Sequence, residues 1–345
     1  MSTNSTSLTV NGIPILGNLP VGTGYVVHVV ENVTTDPYYK RLVESGVDRN
    51  DIVSTLAAAY AKLTDDRGDT VLIYPGLYTV AATLAWDKDN TRIIGVGSPN
   101  QRNGRTAGTD PGIVAIRCST SGVDNILNVT GDFVQIHGID TMNTYTSNDN
   151  RCDLLVSGRN IFVSNCCFRG GNGANQLNHA DGGVPVIFAS GTSGAGHAAR
   201  FVNCHLGNSS NDARTVGPGA VLFETGTTGF EGYFIEFIDC VFEMRCETTG
   251  SANPKLIHLA GNYCIDRYLL FKNCLFYNFW INHVGKMDYA IVDADGATHD
   301  IVIKNCTAIG IDFWSNVATH TWVDNACTTS GQGGLGGIGV VATVA

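Results

Sequence analysis

Three ionisable residues stand at related places in a repeating chain. Glu224, His258 and Asp293 each precede a recurring glycine, at Gly226, Gly261 and Gly296. His258 and Asp293 both fall three places before theirs, one repeat apart. In-line stacking would bring that imidazole and that carboxylate within hydrogen-bond reach, where they could pass a proton. The same pair is more simply a polar contact on a solvated or interface face, and that reading is preferred. Glu224 takes a place held by Val or Ala in other repeats. A further base and acid, His179 and Asp181, sit in a glycine-rich stretch that reads as a solvated turn. No catalytic, cofactor-binding or metal-binding set is assigned, and no cofactor is expected.

The elements that must position these residues follow from one recurring block. It appears as Val163-Ser164-Asn165-Cys166-Cys167-Phe168, Phe201-Val202-Asn203-Cys204-His205-Leu206 and Phe237-Ile238-Asp239-Cys240-Val241-Phe242. It returns as Phe271-Lys272-Asn273-Cys274-Leu275-Phe276 and Ile303-Lys304-Asn305-Cys306-Thr307-Ala308, with two earlier forms around Gly95 and Gly138. The third column holds only Gly, Asn and Asp, the residues that adopt left-handed backbone at low cost. Each block therefore predicts a strand, one left-handed kink and a second strand, with apolar side chains inward on both sides. A second column, at Gly131, Gly158, Gly191, Gly226, Gly261 and Gly296, has an aliphatic residue four places before each glycine.

Within the blocks the period is 2, which excludes a helical solenoid. Hairpin signals between strands, which a propeller would need, are missing. Identical residue types in register suit parallel strands stacked about 4.8 Å apart, so the chain predicts a solenoid of about seven coils. The Asn and Cys columns then become ladders inside the stack. Stacked cysteines sit wider than the ~3.8 Å Cβ separation of a disulfide, so they read as small buried thiols and not as a metal ladder.

Outward places beside the kink include Val202, Ile238, Val241 and Leu275. Large apolar strips are rarely left bare on a monomer, so these four are interface candidates. Aromatic loop residues such as Tyr277, Phe279, Trp280 and Phe313 suit sugar stacking or an interface, with the interface preferred.

Composition sets the remaining bounds. The 345 residues include 41 Gly, only 15% are charged, and the net charge is −10. That acidity disfavours nucleic acid as a partner. No apolar run reaches membrane-spanning length, so no membrane partner is expected. The first 30 residues show no basic segment followed by an apolar one, so an export signal is not expected. Eleven Cys without a CxxC pair fit a chain made and kept reduced in a cytoplasm.

The chain also resembles a known superfamily near its start. Asp36-Pro37 predicts a capped helix closed by Gly46. A second helix is predicted from Asn50-Asp51, with Ile52, Leu56, Ala59, Tyr60 and Leu63 on one face. Then comes Gly68-Asp69-Thr70-Val71-Leu72-Ile73-Tyr74-Pro75-Gly76-Leu77-Tyr78. This phrase resembles the opening of the pectate-lyase-like β-helix superfamily, one residue short between Pro and Gly. The resemblance implies an all-β, right-handed parallel β-helix with short N-terminal capping helices. Expected boundaries are an arm or attachment segment over 1–35, capping helices over 36–68, the β-helix over 69–327 and a Gly-rich tail over 328–345. Many members are polysaccharide lyases or hydrolases. Their Asn-Thr-Asp, Asp-Asp, His-Gly and Arg-Ile-Lys elements do not occur here as a set, and the outward kink-side places carry no acidic cluster.

The stretch Thr83-Leu84-Ala85-Trp86 with Asn90-Thr91-Arg92-Ile93-Ile94-Gly95 is similar to phage head-associated proteins. The expectation is a non-enzymatic structural virion protein of a phage, made in the host cytoplasm, decorating or capping the particle as a homotrimer. Its partners would be its own copies and the major capsid protein or another virion protein. The alternative is a tailspike-like protein that binds surface glycans or depolymerises polysaccharide.

Overall fold

Phe237 and Phe242 can both point inward only if the chain turns between them, and Asp239 supplies that turn with φ of +56°. The same left-handed conformation recurs at Gly138, Asn165, Asn203, Asn273 and Asn305, with φ from +50° to +68°. Gly95 is a correction. It ends the extended strand Arg92–Gly95 and has no positive φ. Its lack of a side chain serves close packing, since a Cβ there would lie 2.2 Å from the Gly138 carbonyl oxygen.

The computed structural model describes residues 9–10, 13–14, 24–97, 112–144, 151–171, 182–189, 196–208, 214, 216–225, 232–246, 254–261, 264–265, 267–278, 287–294, 299–317, 319–330 and 340–341. Three long sheets run side by side. Sheet I has eight strands, from Leu84–Trp86 to Ile311–Ser315; sheet II has eleven and sheet III ten. In each solenoid coil the chain visits I, II and III in turn, and each strand pairs in parallel with its counterpart one coil on. The kink column lies between II and III. An eighth coil, Thr321–Val323 followed by Thr328–Ser330, continues the stack beyond the recognised blocks.

Columns of identical character fill the core. Phe201, Phe237 and Phe271 stack with centroids 5.0 and 5.4 Å apart, and Phe242 lies 4.8 Å from Phe276. All five rings are fully buried, each worth about 2–3 kcal/mol of transfer free energy. The cysteine column is interior, as the repeat implies: Cys166, Cys204, Cys240, Cys274 and Cys306 are buried free thiols, and Cys327 extends the file. The kink column differs from expectation. Asn203, Asp239, Asn273 and Asn305 are exposed, so that ladder runs along an outer corner.

A second left-handed ladder stands at the corner between sheets I and II. Asp66, Asn90, Phe133, Asn160, Ala198 and Phe234 have φ from +53° to +58°. Their amides bond the neighbouring coil, as from Phe133 to the Arg159 carbonyl at 2.8 Å and from Ala198 to that of Tyr233 at 2.7 Å.

Two helices cover the N-terminal coils, the first packed on the outer face of sheet II and the second on the main core. Helix α1, Pro37–Glu44, is capped by Asp36, and α2, Leu56–Tyr60, by Thr55. The predicted second helix is broken. Arg49–Asp51 forms a 3-10 turn, and the β-branched Ile52–Val53 pair with His28 and Val29 as a strand. Leu56, Ala59 and Leu63 reach the main core and Tyr60 packs against it, whereas Ile52 joins the smaller cluster around Leu42. Val26–Val29 pairs with Thr70–Ile73 inside sheet II, so the expected arm over 1–35 contributes a strand. Buried Asp69 ties this end together, accepting from the Tyr25 and Thr64 amides at 2.7 Å each and from Arg67 at 2.6 and 2.7 Å.

Candidate functional site

The register of sheet I separates the predicted His–Asp pair. His258 stands between Leu222 and Val292, whereas Asp293 follows Leu259 and Phe223. Adjacent strand positions face opposite ways. His258 is therefore partly exposed on the outer face, and Asp293 is buried on the core side. Asp293 pairs instead with His299, whose Nδ1 is 2.9 Å from its Oδ2, both side chains fully buried. Glu224 forms an ion pair with Arg151. The three residues thus do not meet. Gly226 and Gly296, which aligned them, and the loop with His179 and Asp181 lie outside the described residues.

A polar line that the sequence did not single out crosses the outer face of sheet III. Asp140, Cys167, His205, Val241 and Leu275 succeed one another in register. Asp140 is held between two arginines, 2.7 Å from Arg117 Nη2 and 2.6 Å from Arg169 Nη2. Further along, Cys167 Sγ lies 3.8 Å from His205 Nδ1, and His205 Nε2 lies 2.7 Å from Glu243 Oε2. A thiol, an imidazole and a carboxylate in that order have the connectivity of a nucleophilic triad. The environment opposes that use. Cys167 is 1% exposed, and burial, with Asp140 adding to it, pushes its thiol far above the usual range. A reactive cysteine needs an exposed site that favours thiolate, so this line is structural.

Beneath the same strands, Asp153 is fully buried on the core side. Its Oδ2 accepts from Thr141 Oγ1 and the Gly170 amide, each at 2.8 Å, while Oδ1 has no hydrogen-bond partner. Burial raises its pKa to about 6. Among the described residues no three His, Cys, Asp or Glu side chains converge as a metal-ligand group. An open groove of about 550 Å³ lies between Glu31, 54–57 and 77–84 at the capped end, without converging titratable groups.

The apolar candidates fall on two sheets. Val202 and Ile238 are neighbours on the outer face of II, and Val241 and Leu275 on that of III. Val202, Ile238, Val241 and Leu275 are all partly exposed. The exposed large apolar residues among those described are Phe133, Phe234 and Trp322, at 48–51% exposure. The two phenylalanines belong to the corner ladder that opens sheet II, and Trp322 lies in its last strand. Near Phe234, the Arg267 guanidinium is 5.9 Å from the Tyr233 ring, and Tyr268 lies edge-on to Phe234 at 5.3 Å.

No family model matches the chain, and no curated protein matches it. Among solved structures it is similar to a pectate lyase, at 12% identity and a TM-score of 0.54, covering 90% of this chain and 78% of the lyase. It is also similar to a pectin methylesterase solved with a hexasaccharide, at 14% identity and a TM-score of 0.51, covering 85% and 82%. A protein of Geobacillus virus E2 aligns more loosely, at 15% identity and a TM-score of 0.41 over 79% of this chain and 56% of that one; so loose a likeness carries no argument. The fold is the right-handed parallel β-helix of the pectate-lyase type.

Proposed function

We propose that this β-helix is a structural virion component of a phage, which decorates or caps the particle and turns over no substrate. The observation that carries the reading is the set of partly exposed apolar residues Val202, Ile238, Val241 and Leu275, on two sheets either side of the kink ladder. A solvated face gains nothing from them, whereas a protein partner would bury them. The partners are its own copies and the major capsid protein or another virion protein. Among the described residues, burial of Cys167 and separation of His258 from Asp293 speak against two groupings that resembled catalytic machinery. The test is quantitative mass spectrometry of purified particles. A fixed copy number per particle is expected; absence from particles overturns the proposal.

A second reading is supported by the exposed aromatic corner. Phe234 beside Tyr268, with Arg267 over Tyr233, is a surface on which a sugar ring could stack. Under it the protein is a glycan-binding or depolymerising tailspike-like component, and labelled capsular or cell-wall oligosaccharides would bind it.

A further inference from the structure

Three columns of side chains point outward from sheet II. The middle one runs Phe162, Arg200, Glu236, Leu270, Val302 and Trp322. Two residues later along each strand come Ser164, Val202, Ile238, Lys272 and Lys304. Two residues earlier come Tyr268 and Asp300 on their strands and, on the left-handed corner that leads into the sheet, Asn160, Ala198 and Phe234. In the first coils this face is already covered: Leu72 and Ile94, which follow Ile52 and His28 in the later column, are buried against Leu42 of α1. Past Ile94 that column turns polar at His137 and Ser164, then apolar again at Val202 and Ile238, where α1 no longer reaches.

We propose that a second copy of this chain covers the face, about a twofold axis that lies in the contact plane and runs along the solenoid. Such an axis keeps every coil opposite its own copy, exchanges the earlier and later columns, and lays the middle column on itself. The exchanged partners are complementary. Asp300 meets Lys304; Phe234 meets Ile238; Ala198 meets Val202; Asn160 meets Ser164. Lys272 meets Tyr268, whose hydroxyl donates to Glu236 Oε1 at 3.0 Å. In the middle column Leu270, Val302 and Trp322 pack on their own copies. On the axis Arg200 meets its own copy and Glu236 its own copy, and the 3.3 Å contact between Arg200 Nε and Glu236 Oε2 within each chain leaves the four charges neutral in sum. This twofold pairing takes the place of the homotrimer expected from the sequence, in which a surface would meet a different surface and never itself.

Sedimentation of the full chain over a concentration series tests it. The wild type should be a dimer. Lys304→Asp alone and Asp300→Lys alone should each weaken the dimer at least tenfold, and the double exchange should restore it, with circular dichroism showing that every variant is folded. Val302→Cys, treated with a short bis-maleimide, should give a covalent dimer, and Thr307→Cys on sheet III should not. A wild type that stays monomeric or forms trimers overturns the proposal. So do single exchanges without effect, or a double exchange that fails to rescue.

Discussion

The side-chain amide of Asn273 donates to Oδ1 of Asp239, one coil away, at 2.9 Å, and its own oxygen accepts from Asn305 Nδ2 at 2.9 Å. These bonds run along the outer corner between sheets II and III, beside backbone held at φ of +57°. Asn273→Val places a β-branched residue in left-handed backbone, at about 1–2 kcal/mol, and removes two exposed bonds worth about 1 kcal/mol together. A loss of about 2–3 kcal/mol in urea unfolding is expected. Asn273→Gly keeps the backbone and should lose about 1 kcal/mol. Equal losses would show that the kink conformation costs nothing.

The kink corner was legible because Asn, Asp and Gly mark left-handed backbone wherever they recur. The opposite corner has the same φ values, but three of its six residues are Phe133, Ala198 and Phe234, chosen against local preference. No residue type announces them. The false pairing of His258 with Asp293 came from counting back from glycine. The strand column Val129, Val156, Phe188, Phe223, Leu259 and Asp293 ends two residues before Gly131, Gly158 and Gly261, but three before Gly191, Gly226 and Gly296. A slip of one residue exchanges inside for outside. The Asp140 and His205 line escaped notice because its members share no residue type, only a place on sheet III.

The thiol file should be inert. Burial pushes the thiols of Cys204, Cys240 and Cys274 far above their usual range, and each donates to the carbonyl two residues back at 3.3–3.4 Å. Labelling of the native protein with maleimide should leave Cys166, Cys204, Cys240, Cys274 and Cys306 unmodified until urea unfolds it. Cys167 is included. Selective fast labelling of Cys167 would reopen the case for its line with His205 and Glu243 as a nucleophile.

Asp140 ties three successive strands of sheet III together. Its carboxylate takes both buried guanidinium groups, those of Arg117 and Arg169. Asp140→Ala removes the carboxylate that both guanidinium groups share, and breaking such a largely buried group costs about 3–5 kcal/mol. Cys167→Ala, in the next coil, removes only one small thiol and should cost about 1–2 kcal/mol. Chemical denaturation should rank the two in that order.

Two buried groups give stability opposite slopes against pH. The Asp153 carboxyl has its folded pKa raised from 3.8 to about 6 by burial, so the native state holds the proton longer. Its contribution is present below about pH 4 and lost as pH rises to about 6, on the order of 3 kcal/mol. His28 is pushed down from 6.5 to about 4 by burial, so the unfolded chain takes the proton first. Its contribution is present above about pH 6.5 and lost as pH falls to about 4, by a similar amount. The two nearly cancel in the wild type. Asp153→Asn should be more stable than wild type at pH 7 and lose stability steeply between pH 6 and 4. His28→Gln should show the reverse slope. Urea midpoints taken at half-unit pH steps would reveal both.

The apolar residues beside the kink separate the two functional readings. Val241 and Leu275 point away from the core, so changing both to Lys should leave the fold intact, within about 0.5 kcal/mol of wild type. Pressed against a protein partner, two unpaired ammonium groups are costly to desolvate, and the double variant should fail to enter particles. A depolymerase would be indifferent to that change. It would depend instead on a surface carboxylate, and Glu224 is the member of the original trio that still qualifies, because Asp293 is buried against His299. Glu224→Gln should therefore leave particle incorporation untouched. Cleavage of a capsular or cell-wall polysaccharide by the wild type, abolished by Glu224→Gln and retained by the double lysine variant, would decide for the enzyme and against the structural role.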